Sequence, residues 1–457
     1  MKIFDIFLNF SILLSIKGSK RFLSYYAIGL IISLITLSSA KAKEVNFHDY
    51  KYFDLKYQGD SLSSPTVVDL NDDGIVDLII IGTLQGNIYA WDIKGNLYQG
   101  YPLTIADEIR GKVYCIDINN DLKKELVVAT LSGYIITLNI SGEKLWIGQG
   151  GGEIIKGITI DDVDEDGIME ILVPLASKRS GCLAIDGVSH KEKWFFPSSL
   201  QSNLPQVGDV DGDGQKEIIC SGIDNLYCLN NQGQLLWKKY IGSNLNETLE
   251  SCQPALSDVD GDGKLEVIMV ANNKLIILDG KGKEILQISY GSSRLNKSIN
   301  PPLVIDLNKD GKNEVVWADC SNNFYAFSMD KKIIPGFPIY TLSIIGDHFH
   351  TTPVVLDLIG DNDLEVILTS MDGYVYLMKY DRIGKSLKML DSVRLPHLDN
   401  FKKSPLNVNP LIYDLDGDND HELLVNYQEG VAIWSFPKKR AAKIFIEERK
   451  STFEKRR

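Results

Sequence analysis

The sequence predicts an all-β chain folded as an eight-bladed β-propeller of four-stranded antiparallel blades, and three observations predict it. A nine-residue acidic segment recurs eight times at nearly constant spacing, a short apolar strand runs up to each copy, and turn residues divide the stretch that follows into three more strands. Self-similarity at a period of 45 to 57 residues is the mark of a repeat architecture, and four short strands per repeat make one propeller blade.

The acidic segment is clearest at Asp209–Glu217, DVDGDGQKE. Side-chain oxygens at positions one, three and five (Asp209, Asp211, Asp213), a glycine at six (Gly214) and an acid at nine (Glu217) follow the ligand order of a calcium loop. A hard cation takes roughly six to eight oxygens, and alternate residues of a tight loop aim theirs at one point. Gly214 supplies the positive φ of the turn, and residue seven is expected to offer a backbone carbonyl. Three further copies keep all four carboxylates: Asp162, Asp164, Asp166 and Glu170; Asp258, Asp260, Asp262 and Glu266; Asp414, Asp416, Asp418 and Glu422. Two carry an amide at position three and are expected to bind less strongly: Asp69, Asn71, Asp73 and Asp77; Asp306, Asn308, Asp310 and Glu314. The copy at Asp117 has Asn119 at position three and Leu122 at six, and the copy at Asp357 has Ile359 and Asn362 there. Asparagine tolerates a left-handed backbone and leucine does so poorly, so these two loops are expected to be weak or empty.

The flanks define the rest of the blade. A proline stands four residues before the first Asp in six copies (Pro65, Pro205, Pro254, Pro302, Pro353, Pro410), with Val113 and Ile158 in the other two. After position nine come a β-branched run (Leu78–Ile81, Val267–Val270), a turn, and an aromatic strand (Asn87–Ile93, Leu226–Asn230). A second turn (Lys94-Gly95-Asn96, Asn231-Gln232-Gly233) leads to a fourth strand, Leu97–Tyr101 or Leu235–Tyr240. One blade cannot bury both its faces, so neighbours must pack into a ring. Two segments compete to complete the last blade: Lys51–Tyr57, which follows the spacing of the other fourth strands and is favoured, and Lys443–Glu447.

With these residues in view, the DxDxDGxx[DE] loops resemble the FG-GAP repeats (integrin α-like, also called VCBS-type) of bacterial secreted proteins. The third-to-fourth-strand hairpins, residues 138–146 and 229–237, are similar to the tryptophan-containing repeats of quinoprotein-like propellers. The resemblance covers residues 45–437 and implies several bound Ca2+ ions. Integrin propellers have seven blades and longer repeats, so an integrin-like ligand does not carry over. Adjacent cysteines are absent, so the vicinal disulfide of quinoprotein dehydrogenases has no counterpart. Rhamnogalacturonan lyases also use eight blades with similar calcium loops, but they are longer and carry catalytic insertions.

The amino terminus reads as a targeting segment, residues 1–42. Lys17, Lys20 and Arg21 precede the apolar run Phe22–Leu37, and Ala40-Lys41-Ala42 offers small residues for cleavage. The alternative is an uncleaved anchor. The propeller then spans 43–437, and 438–457 form a basic tail with nine Lys or Arg against three Glu. Net charge is −13, and −17 without residues 1–42; eight divalent ions would bring it to about −1. Much of the acidity is therefore ligand charge rather than a partner-binding field, which disfavours a nucleic-acid partner. Six cysteines (Cys115, Cys182, Cys220, Cys228, Cys252, Cys320) read mainly as small buried residues, and Cys220 and Cys228 could form a cross-strand disulfide in one hairpin.

Residues just before each first strand are expected to share one mouth of the channel: Arg110, Lys112, Lys156, Asn203, Glu250, Lys297, His348, His350 and Asn409. His348 and His350 are the candidates there for a metal or sugar site. No catalytic set stands out. The chain is expected to be an exported monomeric scaffold for a protein or glycan ligand at the cell envelope, with a polysaccharide lyase as the alternative; the connections are short except over Tyr380–Asn409.

Overall fold

The computed structural model describes residues 47, 51–199, 203–242, 253–290, 301–319, 323–340, 351–358, 362–370, 373–395, 408–427 and 429–436. They build eight four-stranded antiparallel sheets within one unit, Asn46–Arg457. Blades 1 to 7 begin at Thr66, Tyr114, Thr159, Gln206, Ala255, Leu303 and Val354, and each takes its strands in chain order. Among the described residues no helix is long and apolar enough to cross a membrane.

Blade 8 differs. Its first three strands are Leu411–Tyr413, His421–Tyr427 and Gly430–Phe436, and its fourth is Lys51–Lys56, paired antiparallel with Leu55 opposite Val431. The amino-terminal strand therefore closes the ring, as its spacing predicts; the competing segment 443–447 lies outside the described residues. A polar network secures the seam. Tyr57 Oη donates to Asn426 Oδ1 (2.7 Å), and Asn426 Nδ2 donates to Ser61 Oγ (3.1 Å) and the Ser63 carbonyl (2.8 Å).

The second strand of each blade is a continuous apolar run because both its faces are covered. Side chains alternate across a strand, so Leu78 and Ile80 pack toward blade 2 with Leu126 and Val128. Ile79 and Ile81 pack the other way, against Leu424 and Ile433 of blade 8. Equivalent clusters fill the interfaces from blade 2 through blade 7. Each buried Ile or Leu contributes about 1.5–3 kcal/mol, so blade contact is the main source of stability.

Outer hairpins dock on the fourth strand of the preceding blade. Trp194 Nε1 donates to the Asn231 carbonyl (3.0 Å) and Trp237 Nε1 to the Gly280 carbonyl (2.8 Å). Both indoles lie on a left-handed glycine: a Cβ on Gly233 would stand 2.4 Å from Trp194, and one on Gly282 2.7 Å from Trp237. Blade 3 puts His190 there, stacked on Trp146 at 4.4 Å.

Two sequence expectations need correction. Blade 1 has its fourth strand at Leu103–Thr104 rather than Leu97–Tyr101. Leu97 makes only an isolated bridge with Trp91, and a turn closed by Tyr101 N–H on the Tyr98 carbonyl delays the strand. Cys220 and Cys228 are also one residue out of register, Cys220 opposite Tyr227 and Cys228 opposite Ile219. Their side chains therefore enter different interfaces, and Cys220 shares its cluster with Cys182 of blade 3. Cys115, Cys182, Cys220 and Cys228 are free thiols.

Candidate metal centres

Every acidic segment joins the first strand of its blade to the second, and one set of carboxylate-to-backbone bonds shapes all eight. The position-nine acid accepts the N–H of position two: Leu70 to Asp77, Ile118 to Glu125, Val163 to Glu170, Val210 to Glu217, Val259 to Glu266, Leu307 to Glu314, Leu358 to Glu365 and Leu415 to Glu422, at 2.7–3.2 Å. The first Asp accepts the N–H of position six at 2.7–3.0 Å in every copy. Position five accepts the N–H of position seven in the seven loops where both are described. Such charge-assisted bonds are stronger than neutral ones. The carboxylates thus fold the turn as well as facing its centre.

Position six is left-handed throughout, including Leu122 at φ 68°, Asn362 at 74° and Asn419 at 68°. Leu122 is 95% exposed and its loop keeps the common shape, so the loss of glycine strains this turn without opening it. Position four is left-handed as well, at Asp72, Asn120, Glu165, Gly212, Gly261, Lys309 and Gly417. The sequence reading missed this, although glycine at position four in the copies at Asp209, Asp258, Asp357 and Asp414 was a usable signal.

Carboxylate oxygens converge within 4.8 Å of one another in five loops: Asp117, Asp121 and Glu125; Asp162, Asp164 and Glu170; Asp209, Asp211 and Glu217; Asp258, Asp260 and Asp262; Asp414, Asp416 and Glu422. Asp162 Oδ1 and Asp164 Oδ1 are buried without a hydrogen-bond partner, as oxygens meant for a cation would be. These donor sets are hard oxygens, and several of the clusters can hold a metal ion. The loop at Asp117, expected to be weak, belongs to this group. In the loops at Asp69 and Asp306 the amide oxygens of Asn71 and Asn308 accept the N–H of Asp73 and Asp310, as Asn119, Asp211, Asp260 and Asp416 do from position five of their own loops. The amide nitrogens of Asn71 and Asn308 donate to Asp73 (3.1 Å) and Glu314 (2.9 Å). For the loop at Asp357, position three lies outside the described residues.

Among the loop carboxylates, six position-nine glutamates are raised. Burial pushes Glu125, Glu217, Glu266 and Glu314 up to about 7, against the partial relief of the backbone N–H each accepts, and repulsion from the loop aspartates adds to the rise. Glu170 and Glu422 are raised for the same leading reason. Like charges held together disfavour ionisation, and a divalent ion would reverse that.

In a meander, second-to-third turns and blade-to-blade connections lie at the end opposite the acidic loops. There the candidate mouth residues are largely engaged with neighbours. Arg110 Nε donates to Glu108 (2.9 Å), Lys156 Nζ to Asn203 Oδ1 (2.8 Å), and Asn409 Oδ1 accepts the Thr352 N–H (2.8 Å). Lys112 lies over the Tyr114 ring. Glu250, Lys297, His348 and His350 fall outside the described residues. On the acidic-loop side a crevice of about 860 Å³ opens between blades 5, 6 and 7, lined among others by Asp260, Asp310, Lys312, Lys332, Tyr380 and Arg382.

A family model described as FG-GAP-like repeat matches residues 209–269 and 258–317, which run from the acidic loop of blade 4 through the acidic loop of blade 6 into its second strand. The chain is an eight-bladed β-propeller that carries FG-GAP-like repeats. Over 114 residues, 24% of this chain, it is 27% identical to a lambda-carrageenase of Pseudoalteromonas carrageenovora, and the match spans only 12% of that protein. BamB from Moraxella catarrhalis is 15% identical with a TM-score of 0.57, over 85% of this chain and 97% of that one. A Bacillus licheniformis rhamnogalacturonan lyase is 17% identical with the same TM-score, over 85% of this chain and 76% of that one. At these identities the two structures share the fold alone.

Proposed function

We propose that this FG-GAP-type propeller is an exported, calcium-loaded scaffold that binds a protein or glycan at the cell envelope. The observation that carries the reading is the acidic-loop geometry: one bond pattern repeated eight times, with carboxylates converging in five loops. Calcium suits that donor set, because an all-oxygen cage of carboxylates and carbonyls favours a hard cation tolerant of irregular geometry. The ligands would be Asp69, Asn71, Asp73 and Asp77 in blade 1, and the corresponding residues from Asp209, Asp258, Asp306 and Asp414 onward; the loop at Asp162 has the same four acids but with Lys193 among them. Their work is to hold each turn, and with it the blade, against carboxylate repulsion.

The scaffold part rests on the opposite face, where successive connections bond to one another (Leu84 N–H to Asp60 carbonyl, Leu131 to Glu108, Ile223 to Ser199) and present a preorganised surface. Residues 1–42 would direct export, by cleavage or as an anchor, and the tail 438–457 would be a solvated extension. A second reading, a polysaccharide-cleaving enzyme, is favoured by the sequence match to lambda-carrageenase. Purified protein is to be tested on a glycan array and for product release from carrageenans and pectic polysaccharides. Binding without release supports the scaffold; release that is lost in His348→Ala or His350→Ala replaces it with the enzyme.

A further inference from the structure

The third-to-fourth-strand hairpins carry a β-bulge at one shared place. Trp146 and Lys144 pair with consecutive residues Thr137 and Leu138, which leaves Leu145 as the extra residue of blade 2. By the same register shift Lys193 is the extra residue of blade 3, Leu236 of blade 4, Ile285 of blade 5 and Leu390 of blade 7. A bulge re-aims its side chain, and in blades 2, 4 and 5 the result is an exposed apolar residue, 48%, 50% and 41% accessible.

Blade 3 alone puts a cation there. Lys193 Nζ lies 2.7 Å from Asp164 Oδ2, 2.9 Å from Glu170 Oε1 and 3.9 Å from Asp166 Oδ2. Those are positions three, nine and five of the loop of the same blade, three of the four carboxylates a metal would use. Glu170 is 2% exposed, and its other oxygen is taken by the Val163 N–H. An ammonium donates up to three hydrogen bonds and carries its own charge, so it supplies what a metal would supply to these oxygens.

We propose that Lys193 is the built-in cation of the blade 3 loop, and that this loop, complete in its carboxylates, takes no calcium while Lys193 holds it. The proposal rests on the calcium reading of the other loops. Asp162 Oδ1 and Asp164 Oδ1, buried and without partners, are the oxygens that would join a metal once the lysine is gone.

The test counts calcium per chain, by atomic emission after equilibrium dialysis of the whole protein at fixed free calcium. Asp209→Asn should lower the count by one and Asp162→Asn should leave it unchanged. Lys193→Met should raise it by one, and Lys193→Arg should keep the wild-type value. A count that falls in Asp162→Asn, or fails to rise in a folded Lys193→Met, overturns the proposal. A separate arm uses chelator alone, where Lys193→Met should melt a few degrees below wild type and recover on adding calcium. Equal melting points in chelator overturn the counter-ion role whatever the calcium count. A wild-type chain holding no calcium instead sinks the calcium reading of all the loops, so the two failures are told apart.

Discussion

Blades 3 and 4 carry the same four acids in their loops and share three carboxylate-to-backbone bonds, yet they balance charge differently. Among the described residues no ion pair reaches the blade 4 loop carboxylates, and burial with mutual repulsion pushes Glu217 up to about 7. In blade 3 the equivalent Glu170 bonds Lys193 at 2.9 Å. The difference comes from one bulge position, Lys193 against Leu236, a strand away from the motif itself. The ligand pattern of a loop therefore states what it could bind, and its neighbours decide what neutralises it.

The largest expected effect comes from chelation at pH 8. Each occupied site adds about 2.7 kcal/mol at a hundredfold excess of ion over Kd, so removing calcium from several loops should cost well over ten degrees in Tm by calorimetry. Hydrogen exchange should then show the amides of the blade 4 and 5 loops losing protection while those of blade 3 keep theirs; equal loss would break the comparison. Next, Glu170→Ala in chelator should cost about 3 kcal/mol, the low end for breaking a buried ion pair, because Lys193 keeps part of its surface in water. Glu217→Ala should cost roughly 1 kcal/mol, chiefly for the Val210 N–H it leaves unpaired. Denaturant titrations of the two variants measure this contrast.

A pH scan sharpens it further. Glu125, Glu217, Glu266 and Glu314 have folded values raised from 4.5 to about 7, so the folded state holds more protons than the unfolded one between those limits. In chelator, stability should be greatest on the acid side of this window and fall as pH rises from about 4.5 through about 7. Saturating calcium should flatten the slope. A metal-free protein that gains stability over that range would contradict the assigned cause. The smallest effect is at Leu122, held left-handed and almost wholly exposed. Leu122→Gly should stabilise the calcium-saturated protein by about 0.5–1 kcal/mol in urea, since it removes the steric cost of a Cβ at that φ.

Most of the fold was legible in the chain because a repeat announces itself many times over. The spacing of the acidic segments implied eight blades, and the run Lys51–Tyr57 implied the closing strand, since a ring of meanders needs exactly one outer strand from elsewhere. Less was legible where single residues decide. The delayed fourth strand of blade 1 depended on a turn at Tyr98–Tyr101, and the mismatch of Cys220 with Cys228 depended on a one-residue register that spacing does not reveal. The left-handed position four was visible only where glycine occupies it, because Asp72, Glu165 and Lys309 adopt the same backbone without advertising it.

Local order of residues was enough to determine the blades, their number and the acidic turns, because strand periodicity and turn chemistry act over a few residues. Tertiary structure alone decided which carboxylates meet a lysine, which glycines receive an indole from the blade before, and which cysteines face each other. Those pairings depend on bulge, register and the packing of one sheet against the next, and such contacts join residues that sequence distance keeps apart.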